Sequence, residues 1–188
     1  MPESSDLSAT EQAAVAPQAN ASFINASEML LDVLERCLHA SNSEWFFLRE
    51  LRAGTGHRNS FAQRLDAFAL NCLPHLAMKR VCYEVKISRA DFLGELKHPL
   101  KRRIGLRYSN EFYFVTPAGL LVPSEVPVEC GLVEIGSEIS SRWRQHVETA
   151  GGILHFDSPS GAYCTVIVPA QWRDTPGAYL AVRGRYVA

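Results

Sequence analysis

Several strong functional signals are missing from this 188-residue chain. Its five cysteines, Cys37, Cys72, Cys82, Cys130 and Cys164, are odd in number, widely scattered and free of any CxxC spacing. Neither a disulfide framework nor a zinc cluster is supported. The six histidines, His39, His57, His75, His98, His146 and His155, form no HxxxH or HxH pattern, so each reads as structural or exposed rather than as a ligand. The glycines of "AGTGHRN" lack the GxxxxGK of a phosphate loop. No serine stands in an elbow motif, and Cys72, Cys82 and Cys164 have apolar neighbours, which leaves nucleophilic triads without support. No apolar run is long enough to cross a membrane. The N-terminus is acidic and has no apolar core of the kind a secretory signal needs. The expectation is a cytoplasmic protein with reduced cysteines and no membrane partner.

What is present is a core and an uneven charge. Hydrophobic residues make up 47% of the chain, enough for one domain. The net charge is −1. Between Arg49 and Arg107, however, thirteen Lys and Arg face five Asp and Glu, a surplus of eight, so the remainder carries −9. A basic segment inside a near-neutral chain points to a polyanion partner, with a solvated helix face as the plainer reading.

Along the chain, residues 1–22 are rich in Ser, Ala, Gln and Pro without apolar periodicity and read as a disordered tail. Met29, Leu30, Val33, Leu34, Cys37 and Leu38 have helical spacing, with Asn25 or Ser27 as cap. A second helix is expected over 44–52, with Trp45, Leu48 and Leu51 on one stripe and "AGTG" as its stop. "RLDAFAL" (64–70) and "RVCYEVKI" (80–87) read as buried strands. Ser88 and Asp91 fit a capping box that opens a basic helix, and Pro99 should start a new turn within it. "EFYFVTP" (111–117) and "GLVEIG" (131–136) read as strands. "SEISSRWRQHVETAGG" (137–152) reads as a short helix or loop, and "GILHF" with "AYCTVIVP" as a hairpin turned by "DSPSG". The expected fold is α/β or α+β around a central mixed sheet flanked by helices. The tail covers 1–22, the core 23–136, and 137–188 is an extension packed on the same domain.

The chemistry concentrates in "YEVKI". Residues two apart on a strand share a face, so Glu84 and Lys86 project together while Tyr83, Val85 and Ile87 face the packing. Pairing with the preceding strand adds Asp66. Two carboxylates about 4 Å apart repel by roughly 4 kcal/mol at an effective dielectric near 20. Lys86 offsets one charge, and a divalent cation such as Mg²⁺, or Mn²⁺, could offset the rest. Such a site could set an activated water against a phosphodiester. A partly buried salt bridge is the plainer account of the same residues. Glu50 is a fourth candidate, either an outer carboxylate or an exposed acid paired with an arginine. Arg64, Arg89, Lys97, Lys101, Arg102 and Arg103 are the candidates for phosphate contact. With no aromatic platform among them, duplex backbone fits better than stacked single strands.

Asp66 followed by Glu84-Val85-Lys86 resembles the D…(D/E)xK signature of the PD-(D/E)XK nuclease superfamily. "RLDAFAL", "YEVKISRADFLGELKHP", "SNEFYFVTPAGLL" and "EVPVECGLVEI" together resemble its MmcB-like DNA-repair branch and similar small phage and bacterial proteins, over roughly residues 44–136. The resemblance implies a restriction-endonuclease-like core and metal-dependent hydrolysis of DNA, in repair or in phage or bacterial DNA processing. It implies Asp66, Glu84 and the Val85 carbonyl as metal ligands, Lys86 as the catalytic lysine and Glu50 as a helix carboxylate. Leu65 stands where the superfamily often has proline. Relatives with this fold often dimerise to cut both strands, and some only bind. A catalytically silent nucleic-acid-binding module is therefore the alternative, and a protein–protein adaptor needing neither metal nor DNA stands third.

Overall fold

The computed structural model describes residues 19–40, 44–53, 63–137 and 139–175. The first helix, α1 (Ala19–Leu38), precedes three antiparallel strands, β1 (Trp45–Ala53), β2 (Gln63–Asn71) and β3 (Arg80–Val85). Helix α2 (Arg89–Leu96), a 3₁₀ turn (Pro99–Arg102) and α3 (Arg103–Tyr108) lead into β4 (Glu111–Pro117) and β5 (Gly131–Gly136). Helix α4 (Ser141–Thr149) and the hairpin β6 (His155–Asp157) and β7 (Ala162–Val168) follow. All seven strands join one sheet in the order β1-β2-β3-β4-β5-β7-β6. The β3/β4 and β4/β5 pairs are parallel and the others antiparallel, so the protein is α+β with a mixed sheet flanked by helices.

Strands β3 to β5 are apolar on both faces because both faces are covered. On one side, Leu30, Leu31, Val33 and Leu34 of α1 pack on Val81, Tyr83, Val85, Val115 and Val133. On the other, Phe92, Trp143 and Val147 pack on Cys82, Phe112, Phe114 and Leu132. Helix α3 lies close to the sheet through Gly105, where a Cβ would stand 2.7 Å from the Phe112 ring and 2.8 Å from the Cys82 sulfur.

Two expectations change here. Residues 44–52 are not a helix, since β1 pairs with β2 from Trp45↔Asn71 to Ala53↔Gln63. Within "WFFL", Trp45 and Phe47 turn to the α1 side while Phe46 stays 60% exposed. That period of two wins because β2 offers a ladder of partners on either side of Glu50 and α1 an apolar face, neither visible in a local stripe. Glu50 is therefore a strand residue rather than a helix carboxylate. The disordered tail expected over 1–22 lies outside the described residues up to 18, and from Ala19 the backbone is helical. Elsewhere, Pro99 does begin a new turn, as the first residue of the 3₁₀ segment.

Candidate functional site

The β2/β3 ladder ends at Ala67↔Tyr83, and the next register step sets Asp66 across from Glu84. Beyond the last pair, a side chain replaces the ladder bond: the Val85 N–H donates to Asp66 Oδ2 at 2.9 Å. Asp66 is thereby tied to the backbone between Glu84 and Lys86. Lys86 is tied to the next strand, its N–H donating to the Val115 carbonyl at 2.9 Å. The expected alternation holds, with Tyr83 and Val85 in the α1-side core and Ile87 packed against it.

The Lys86 ammonium is the hub. Nζ donates to Glu84 Oε1 at 3.0 Å and lies 3.6 Å from both Asp91 Oδ2 and Glu95 Oε2. Glu95 in turn faces a second cation, Arg102 Nη1, 3.9 Å from its Oε1. Glu84, Asp91 and Glu95 thus share Lys86, Glu95 also meets Arg102, and the Asp66 carboxylate stands across from Glu84 in register, an acidic cluster within an otherwise basic segment.

Burial, more than the neighbouring charges, sets the acid–base behaviour of this cluster. Burial, and then the Asp66 charge, push the Glu84 carboxyl up to about 7. Burial also raises Asp66, against the pull of the Val85 N–H and of Lys86. Burial alone would lower Lys86, but Glu84, Asp91 and Glu95 outweigh it and hold the ammonium above its ordinary value. The charged forms of both carboxylates are thus disfavoured chiefly by burial. Mg²⁺ is commonly held by one or two carboxylates completed by water and phosphate oxygens. Among the described residues no group of three or more His, Cys, Asp or Glu side chains is placed to hold a metal ion, so a cation here would have only Asp66 and Glu84 as carboxylate ligands, with oxygens from elsewhere.

The remaining sequence candidates divide. Glu50 falls across from Asp66 in register, with a left-handed φ of 51°. Its carboxylate is 69% exposed and takes Arg64 Nη1 at 3.2 Å, the arginine-paired alternative weighed from sequence. Arg89 is engaged by both oxygens of Glu125, one at 2.6 Å. Arg102 is corrected outright. It is buried, donates to the Glu95 carbonyl at 3.4 Å and meets Glu129 at 3.5 Å, so it belongs to the interior and not to a phosphate surface. Lys97, Lys101 and Arg103 are exposed, as phosphate contact requires.

Sequence reasoning gave Asp91 to helix capping, and the Ser88 hydroxyl does accept the Asp91 N–H at 3.2 Å. It did not see that Asp91 and Glu95, one helical turn apart, both face Lys86. The signal was there: i, i+4 acids on the helix that follows a strand-end lysine.

The fold and this cluster define an α+β protein whose mixed sheet carries a partly buried acid–lysine group at the ends of β2 and β3. No protein-family model matches the chain, and no curated protein matches it. A solved protein of unknown function from Silicibacter pomeroyi is similar at 19% identity and a TM-score of 0.47, over 79% of this chain and 74% of that one. No helix among the described residues is long and apolar enough to cross a membrane.

Proposed function

We propose that the chain is a divalent-metal-dependent nuclease that hydrolyses DNA phosphodiesters, with a PD-(D/E)XK-type site on a restriction-endonuclease-like core. The observation that carries this is the meeting of Asp66, Glu84 and Lys86 at one strand end with negative charge left over. Asp66 and Glu84 would hold Mg²⁺ or Mn²⁺, with the Val85 carbonyl as a third oxygen. The cation, when bound, supplies charge neutralisation and a more acidic water. Lys86 places a fixed positive charge where a pentavalent phosphate develops negative charge. Asp66, held by the Val85 N–H, keeps its orientation without a second side chain. Lys97, Lys101 and Arg103 offer charge to the DNA backbone, a sequence-independent and salt-sensitive attraction. DNA repair or phage or bacterial DNA processing is the setting, and a homodimer would present two such sites to the two strands. Five free cysteines fit a reducing, cytoplasmic compartment.

The test is nicking of supercoiled plasmid by purified protein with Mn²⁺. Asp66→Asn keeps an oxygen for the Val85 N–H and removes the charge. Wild type should nick and Asp66→Asn should not, and equal activity in both sinks the assignment. The alternative, a catalytically silent nucleic-acid-binding module, draws on the three carboxylates that already engage Lys86. It predicts salt-dependent DNA binding with no cleavage under any divalent cation.

A further inference from the structure

A lysine is a point charge on a flexible four-carbon stem, so a lysine that must stand in one place needs something to hold it. Lys86 is 5% exposed at its side chain, and its amine is hydrogen-bonded to Glu84 and lies at ion-pair distance, 3.6 Å, from Asp91 and Glu95. The three are not equivalent. Glu84 is a proposed metal ligand, so its charge is claimed elsewhere when a cation is present. Asp91 is 56% exposed, where solvent weakens an ion pair. Glu95 is 4% exposed and has a different support. Arg102 lies 3.9 Å from its other oxygen, Oε1, and donates to its backbone carbonyl at 3.4 Å. Arg102 is itself buried and continues to Glu129 at 3.5 Å. One interior carboxylate therefore lies between two interior cations, with a separate oxygen for each.

Stability does not explain that arrangement well. Buried ion triads are often matched or exceeded by apolar replacements of similar size. Helix α2 already has its packing anchor in Phe92, which is fully buried against Phe114. A charged side chain at the next turn is better accounted for by what it holds.

We propose that Glu95 is the positioning residue for Lys86, locked by Arg102 so that the amine keeps its place at the end of β3 independently of Glu84. The catalytic consequence rests on the nuclease reading. The geometric content does not.

The experiment uses the full chain and two readouts. Glu95→Gln keeps the shape and removes the charge. In metal-free Glu84→Gln protein without DNA, where residue 84 no longer offers the amine a charge, adding Glu95→Gln should raise acylation of Lys86 by a water-soluble acetylating ester, read by peptide mass spectrometry, about tenfold as the amine is released, a change equivalent to about 1.4 kcal/mol. In Mn²⁺-dependent plasmid nicking by Glu95→Gln alone, kcat should fall about 100-fold with KM within about twofold, the pattern of a misplaced group rather than of lost substrate binding. Glu95→Asp should recover part of both. Unchanged Lys86 labelling and unchanged kcat in a folded Glu95→Gln protein overturn the proposal. If Glu95→Gln does not fold, Glu95→Asp takes its place in both comparisons, with the same directions at smaller amplitude, and unchanged labelling there overturns it equally. Absence of nicking in wild type removes the nuclease reading alone, because the labelling comparison still decides whether Glu95 holds Lys86.

Discussion

Replacing Glu84 by glutamine should stabilise the metal-free protein, by an amount that depends on pH. Burial and the neighbouring Asp66 raise the Glu84 carboxyl from its ordinary 4.5 to about 7. A carboxyl whose folded-state value lies above its unfolded one destabilises the fold as pH rises. Below 4.5 both states hold the proton and nothing is lost. Above about 7 both have released it, and the folded state bears an unfavourable charge. At about 1.4 kcal/mol per pH unit, that interval from 4.5 to about 7 amounts to ~3 kcal/mol. Glutamine keeps the size and an oxygen for Lys86 Nζ, while Asp91 and Glu95 remain beside the amine. Glu84→Gln should therefore gain up to about 3 kcal/mol at pH 8, or about 6–12 °C in Tm for a chain of this size. At pH 4.5 the two proteins should melt together. The assay is thermal or urea unfolding of both proteins from pH 4.5 to 8 in a chelator. Mn²⁺ at pH 8 should raise the Tm of wild type and leave the variant unmoved. A stability difference flat with pH, or a variant weaker throughout, refutes the reasoning that the site stores unfavourable charge for a cation.

Three further outcomes follow from other parts of the fold. His39 is buried beside Trp45 and Tyr83, its Nε2 is 2.7 Å from the Tyr83 hydroxyl, and burial with the Lys79 charge lowers it to about 4. Because the unfolded chain takes the proton first, stability should fall by about 3 kcal/mol as pH drops from 6.5 to about 4, and His39→Gln should flatten that limb of the urea-unfolding curve. This trend runs against that of Glu84 over much of the same range, so variants report each limb more clearly than wild type alone. Arg36 holds buried Asp157 through two bonds, at 2.8 and 2.9 Å, joining α1 to β6 and lowering the Asp157 carboxyl. Arg36→Gln should cost about 2 kcal/mol at neutral pH, reduced from the fully buried case because Arg36 is partly exposed, and the deficit should shrink as pH falls through 3.8 and below. Lys97→Glu, Lys101→Glu and Arg103→Glu together should weaken DNA binding and lower its salt slope by about one per lost contact, whereas Arg89→Ala, removing a cation already paired with Glu125, should change the slope little.

The sequence was most legible where a short period met a buried surface. The alternation through Tyr83, Glu84, Val85 and Lys86 placed two charges on one face, and the turn residues around 64–70, 111–117 and 131–136 bounded real strands. It was least legible where tertiary partners decide. Trp45, Leu48 and Leu51 fit a helical stripe as well as they fit a strand, and only the ladder with β2 separates the two. Arg102 sits in a run of basic residues, and no local pattern says that it turns inward to Glu95 while Lys101 and Arg103 turn outward. The i, i+4 spacing of Asp91 and Glu95 was visible in the sequence, but that both meet Lys86 depends on α2 folding back over the end of β3. Charge composition located the region, and burial then divided it into an interior network and a basic exterior.

The central claim, that Asp66 and Glu84 form a cation site beside Lys86, is tested most directly by a crystal structure with Mn²⁺ and its anomalous signal. The account predicts one strong peak about 2.0–2.2 Å from a carboxylate oxygen of each residue, with Lys86 still against Glu95. An empty Asp66–Glu84 pair in crystals that bind Mn²⁺ elsewhere, with Glu84 still closed on Lys86, would contradict it.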